Sequence, residues 1–193
     1  MKIILASKSK VRKEILERNN IKCDVIASNL DEEPIKENLI KQGASPEIIS
    51  KNLAEIKALK VSSSNPNSIV LGADSVIDLE NNIISKPKSR QEALNILKKL
   101  NGKDHYLISS VTIAKNGLMI WNYSDKAKLS MKEFKEEELE VYLSKISDDA
   151  LFSYNVYQIE GEGKNLFKSI DGDENTIMGL PIKKIKEYLK EIL

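Results

Sequence analysis

Asp74 lies in the middle of an apolar run, Ile69-Val70-Leu71-Gly72-Ala73-Asp74-Ser75-Val76-Ile77. An ionised carboxylate in such surroundings is costly to bury unless a cation pairs with it. The bland alternative is a strand that ends at Ala73 with Asp74 opening a turn, and alternation alone leaves both open. Lys57 is a candidate partner, since it falls beside the apolar stripe of Ile49, Leu53 and Ile56 on a helical period. It can reach inward, or snorkel along the edge of the stripe as lysines commonly do. Lys86 precedes Pro87, which imposes an extended backbone and aims the ammonium just ahead of a helix start at Ser89. A cation there favours bound anions, although most lysines are simply solvated.

Two further segments carry polar groups that suit phosphate. Ser7-Lys8-Ser9-Lys10-Val11-Arg12 follows an apolar run and offers hydroxyls, backbone N–H groups and a guanidinium. Ser9 serves equally well as a helix N-cap, and no glycine-rich phosphate loop is present. Asp31-Glu32-Glu33-Pro34 is an acidic loop whose carboxylates suit a divalent cation bridging phosphates, or plain solvation.

The elements that must position these groups alternate between extended and helical. Residues 3–6 read as a strand, and a helix carrying Val11, Ile15 and Leu16 follows Ser9. Ser45-Pro46 opens a second helix, with proline at its first position. Residues 69–73 read as a buried strand that 76–79 continue toward a turn at 80–82. Ser89-Arg90-Gln91-Glu92 fits a capping box, and Ala93, Ile96, Leu97 and Leu100 line one face before Gly102. Residues 107–114 and 118–123 flank Asn116-Gly117, a hairpin signal that makes the sheet mixed. Helices are expected over 135–146 and 181–192, with extended segments between them. Residues 62–68 and 171–175 read as loops. The fold class is α/β, in one domain spanning 1–193.

Composition narrows the partners. Thirty Lys and Arg balance 29 Asp and Glu, for a net charge of +1, so neither nucleic acid nor a membrane surface is expected as main partner. No stretch approaches the ~18 apolar residues of a membrane span. The N-terminus lacks a signal-peptide pattern and Cys23 is the only cysteine, which makes the cytoplasm the expected compartment. One histidine and one cysteine are too few for a zinc site, so any metal is expected to be hard and oxygen-bound.

Taken in order, these motifs resemble the Maf family of nucleoside triphosphate pyrophosphatases, the septum-formation-inhibitor proteins. ILASKSKVRKEIL resembles the family's opening motif, LDEEP its acidic loop, and LAEIKA its helix with an inward lysine. LGADSVI and SKP resemble its catalytic strand and lysine-proline turn. LNGKDHYLISSVTI, YQIEGEG and IDGDENTIMGLPI fall in the family's order, so the resemblance covers nearly the whole chain. It implies a mixed, twisted sheet flanked by helices around a long cleft, a homodimer, and hydrolysis of a nucleoside triphosphate to monophosphate and pyrophosphate with Mg²⁺ or Mn²⁺. Asp74 would accept the proton, and Ser7, Arg12, Glu32, Lys57 and Lys86 would form the phosphate and metal site. Glu32 and Asp74 would hold the metal, and Ser9 lies within the phosphate-facing opening motif.

Three positions that the family uses in choosing the base hold Val11, Ser75 and Glu160 here. Val11 replaces a customary arginine, and Ser75 stands where threonine or glutamine is usual. Glu160 resembles the subgroup acting on 7-methyl-GTP, and a carboxylate suits the two donors on guanine's pairing edge. Its bland alternative is a surface strand residue. The dTTP/UTP subgroup has glutamine at that position. A non-catalytic, nucleotide-binding regulator of septum formation is the alternative function. The motif order fits an inosine-triphosphate-type enzyme of similar architecture less well.

Overall fold

The computed structural model describes residues 2–193. In chain order the elements are β1 (Ile3–Leu5), α1 (Lys10–Arg18), β2 (Asp24–Val25), α2 (Glu33–Lys41), α3 (Pro46–Ser63), β3 (Ile69–Leu79) and β4 (Asn82–Ile84). They continue with α4 (Arg90–Leu100), β5 (Asp104–Lys115), β6 (Leu118–Met131), α5 (Glu136–Ser144), α6 (Asp148–Tyr154), β7 (Phe167–Asp171), α7 (Glu174–Ile177) and α8 (Ile182–Ile192). A 3-10 turn over Glu162–Leu166 leads into β7. Seven strands form one mixed, twisted sheet in the order β2-β1-β3-β5-β6-β7, with β4 also paired to β3. Only the β2-β1-β3 pairings are parallel.

The expected hairpin forms at Asn116-Gly117, where both residues take the left-handed backbone that this turn requires. Its arms run much further than expected, because polar residues at the far end of β6 find partners across the ladder. Ser124 Oγ lies 2.7 Å from Ser110 Oγ, for example. Other expectations need correction. Residues 147–180 are not simply extended. α6 is started by the Ser147 side chain, which accepts from Ala150 N, and α7 by Asp173, which accepts from Asn175 N. In such short helices the cap decides, and no apolar period announces them. The acidic loop likewise turns into helix, with Glu32 at the N-cap position of α2 and Pro34 in its first turn. α3 runs on through Ser62 and Ser63, into the stretch expected to be loop.

The sheet's middle strand explains where a cleft can open. β5 pairs with β3 along residues 70–78 of one edge. On the other edge β1 covers Ile69 to Leu71 and β4 covers Ile77 to Leu79. Residues 72–76 therefore have ladder partners on one side only. Backbone carbonyls stranded in this way need other donors. Ala73 O, on the edge that β1 and β4 leave open, accepts from Arg12 Nη1 at 3.0 Å. The two larger of three apolar clusters hold most of the layers together. One packs Leu97, Leu100, Leu129 and Phe167 around α4 and α5, and the other packs Leu71, Ile113, Ile185 and Leu189 under α1 and α8.

Candidate active site

β3 is one continuous strand through Asp74, so the turn alternative is set aside. Side chains alternate along a strand, and Gly72 and Asp74 share the face against α3. Gly72 has no room for a side chain: a Cβ there would meet Ala54 O at 2.2 Å and Ala58 N at 2.5 Å. The missing side chain lets the α3 backbone lie directly on the strand. One turn of helix around that contact carries Lys57, which is buried in the centre of the α3 face, while Ile56 is only partly buried. The snorkelling alternative is thereby excluded.

Lys57 Nζ lies 2.8 Å from Asp74 Oδ1 and 2.9 Å from Glu32 Oε1. One ammonium is thus shared by two carboxylates, from the strand and from the start of α2. Asp74 is 6% exposed, and its second oxygen, Oδ2, is buried with no hydrogen-bond partner. An orphaned carboxylate oxygen at a cleft wall is a vacant acceptor for a water proton or a cation.

The opposite face of β3 presents Ala73 and Ser75 toward α1. Arg12 is gripped there by four hydrogen bonds. Its Nε donates to Gly179 O at 3.0 Å, Nη1 to Ser7 Oγ at 3.3 Å and to Ala73 O, and Nη2 to Ser75 Oγ at 2.9 Å. A guanidinium has five N–H bonds, so protein groups use most of them. Arg12 is accordingly a strut between α1, β3 and the segment after α7 as much as a cation facing the cleft. Burial pulls its pKa down from the usual value, while Asp74 and Glu32 push it back up. Ser9 caps α1, accepting from Arg12 N at 3.3 Å, and Ser7 Oγ accepts from Ser9 N at 3.2 Å.

Lys86 stands between β4 and α4, preceding the buried Pro87. Lys86 is an exposed residue on the wall of the open cleft. Burial lowers its pKa first, then the positive charge of Arg12. Asp74 and Glu32 oppose that shift, and Lys57 adds to it. Lys86 therefore feels the same charges as the trio.

The far wall is the segment 155–160. Its anchor is Tyr157, whose hydroxyl lies 3.0 Å from Nε2 of the fully buried His105. The Tyr157 ring meets Phe167 edge-on at 4.9 Å. Glu160 follows on an exposed turn, not on a strand. Ser7, Ser9, Val11, Arg12, Glu32 and Lys57 all line one cleft of about 490 Å³, as do Asp74, Ser75, Lys86 and Glu160. That volume is within the range of small-ligand sites.

The donor set fits a hard divalent cation. Asp74 and Glu32 are adjacent carboxylates with one vacant buried oxygen, and Mg²⁺-type ions are commonly held by one or two carboxylates together with substrate phosphates. No group of three or more acidic, histidine or cysteine side chains among the described residues could hold a metal alone. The sequence reading missed Gln158, whose Nε2 is buried and unpartnered at the same cleft, and the Ser109, Thr176 and Asp125 side chains behind Arg12. Serines and threonines within strand-like runs give no signal of this kind.

Residues 2–192 match the Maf-like protein family. A nucleoside triphosphate pyrophosphatase of Pelagibacter ubique is 66% identical over 190 residues, which cover 98% of this chain and 97% of that one. A 7-methyl-GTP pyrophosphatase of Brucella abortus is 37% identical over 98% of this chain and 96% of its own length. Among solved structures, a HAM1 protein from Coxiella burnetii superposes with a TM-score of 0.54 at 10% identity, covering 99% of both chains, which is a likeness of fold. With the family matched from end to end, and a relative two-thirds identical over almost the same span, the chain belongs to the Maf-like protein family.

Proposed function

We propose that the chain hydrolyses a nucleoside triphosphate to the nucleoside monophosphate and pyrophosphate. The observation that carries this is the unpartnered Asp74 Oδ2, facing a cleft that also holds Lys57, Lys86 and Arg12. The names of the 66% and 37% identical relatives support it. Asp74 accepts a proton from water, and the water oxygen forms a bond to the α-phosphorus as the bond to the bridging oxygen breaks. Pyrophosphate leaves with the bridging oxygen. Lys57, 2.8 Å from Asp74 Oδ1, holds that carboxylate in place, and Lys86 with the remaining N–H of Arg12 meets the charge gathering on the leaving group. Mg²⁺ or Mn²⁺ held by Glu32 and Asp74 would supply further positive charge to the phosphates and lower the pKa of a bound water.

Glu160 supports a preference for a 7-methyl-GTP-like base over dTTP or UTP, since a carboxylate accepts hydrogen bonds and repels a carbonyl, whereas Val11 and Ser75 match the usual residue of neither subgroup. The homodimer and the link to septum formation rest on the family resemblance, and the cytoplasmic setting rests on the cysteine usage.

Pyrophosphate release from a panel of 7-methyl-GTP, dTTP, UTP and purine triphosphates, with Mg²⁺ or Mn²⁺ and with chelator, tests the reading. Asp74→Asn should lower kcat roughly 10²–10⁴-fold. No release from any nucleotide, or full activity in Asp74→Asn, overturns it, and tight nucleotide binding without turnover favours the regulator. Glu160→Gln should move the ranking toward uracil, and an unchanged ranking removes Glu160 from base recognition.

A further inference from the structure

The hydroxyl groups behind Arg12 form a chain whose direction is forced. Ser109, on β5, is fully buried, and its Oγ lies 2.6 Å from the backbone oxygen of Thr176. A carbonyl has no proton to give, so the single hydroxyl proton of Ser109 is spent there. Ser109 Oγ also lies 2.7 Å from Ser75 Oγ. With the Ser109 proton committed, Ser75 must donate in that contact. Ser75 Oγ in turn accepts from Arg12 Nη2. Donation therefore runs one way, from Arg12 to Ser75 to Ser109 to the Thr176 carbonyl. The Thr176 hydroxyl adds an anchor by donating to Asp125 Oδ2 at 2.7 Å.

We propose that Ser109 is a positioning residue: by taking the Ser75 proton it fixes the Arg12 guanidinium and leaves Ser75 able only to accept from whatever fills the cleft. Ser109 does not line the cleft, and it acts through its two neighbours. The geometry stands without any assumption about the reaction, whereas the kinetic consequence rests on the nucleotide-hydrolysis reading above. Ser109→Ala removes the protein group that accepts the Ser75 proton. Ser75 then turns, and the Nη2 end of Arg12 loses its fixed partner.

The experiment pairs a spectroscopic readout with kinetics on the full chain. In ¹⁵N-edited NMR, the Arg12 side-chain N–H signals should be resolved in the unaltered protein and averaged in Ser109→Ala. Turnover of the best nucleotide should show kcat/KM lower by roughly tenfold, the scale of one hydrogen bond. Ser109→Thr, which restores a hydroxyl, should recover part of the loss. Ser109→Cys, close in size but a weak donor, should behave like Ser109→Ala and replaces it if that variant does not fold. Ser75→Ala combined with Ser109→Ala should lose no more than Ser75→Ala alone, because both interrupt one chain. Unchanged Arg12 signals in both Ser109→Ala and Ser109→Cys overturn the proposal, as do averaged signals with full kcat/KM, or losses that simply add. An unaltered chain that releases no pyrophosphate overturns the hydrolysis reading instead, and the NMR comparison still decides the role of Ser109.

Discussion

Asp74 and His105 sit on neighbouring strands of one sheet, 6% and 0% exposed, and the fold treats them in opposite ways. Asp74 shares Lys57 with Glu32 and opens on a cleft. His105 is enclosed by Tyr157 and Phe167, with a phenolic hydroxyl as its hydrogen-bond partner, and burial drives its pKa from 6.5 to about 4. Buried charge is costly unless a counter-ion stands against it. The cleft side of the sheet provides one, and the aromatic side selects the uncharged imidazole instead. The first arrangement leaves an oxygen available for chemistry, and the second steadies the segment leading to Glu160.

Breaking the charged side should have the largest effect. Lys57→Ala leaves two carboxylates facing each other without a cation and should cost about 3–5 kcal/mol in denaturant unfolding. Lys57→Met with Asp74→Leu should recover much of that, since apolar replacements of a buried pair are often close to neutral. A loss under about 1 kcal/mol in the single variant would mean the trio behaves as a surface pair, and the contrast with His105 would vanish.

Acid should sharpen the contrast next. Above pH 6.5 the imidazole is neutral in both folded and unfolded chains, so it contributes no pH dependence. Between pH 6.5 and about 4 the unfolded chain binds a proton that buried His105 refuses, and stability falls as the pH drops. Below about 4 both forms are protonated and this contribution levels off. Its full size is on the order of 3 kcal/mol. The difference between the unaltered protein and His105→Phe, followed as unfolding free energy against pH, isolates it. Parallel curves would remove His105 from the acid response.

The smallest effect belongs to Tyr157→Phe, which deletes one hydroxyl and should cost about 1 kcal/mol. Because Tyr157 anchors the 155–160 segment, the change should also raise KM more than it lowers kcat. Stability and kinetics both unchanged would leave the neutral cluster without a role in holding that wall.

Much of this was legible in the sequence, and the gaps have identifiable causes. The strand run around Asp74, the helix with Lys57, the cap at Ser89 and the Asn116-Gly117 turn all follow from local rules. Whether Asp74 ended a strand depended on β1 and β4 covering only the two ends of β3, a long-range arrangement that alternation does not encode. Lys57 looked peripheral because Ile56 was assigned to the stripe. Close packing at Gly72 rotates the contact so that the lysine is central. α2 has no buried residue and α7 has four residues, so neither carries a periodic signal. Arg12 was legible as a cation but not as a strut, since its acceptors include two backbone carbonyls 61 and 167 positions away.

In a saturation library, the codons for positions 72 and 74 should both lose nearly every replacement, but at different stages of selection. Clones altered at 72 should disappear when cells are sorted for soluble product, since even a methyl group collides with the α3 backbone. Many clones altered at 74 should pass that sort and disappear only when survivors are assayed for turnover. Genetic drift thus has almost no freedom at the glycine, and the intolerance there reports how near a helix lies to a strand.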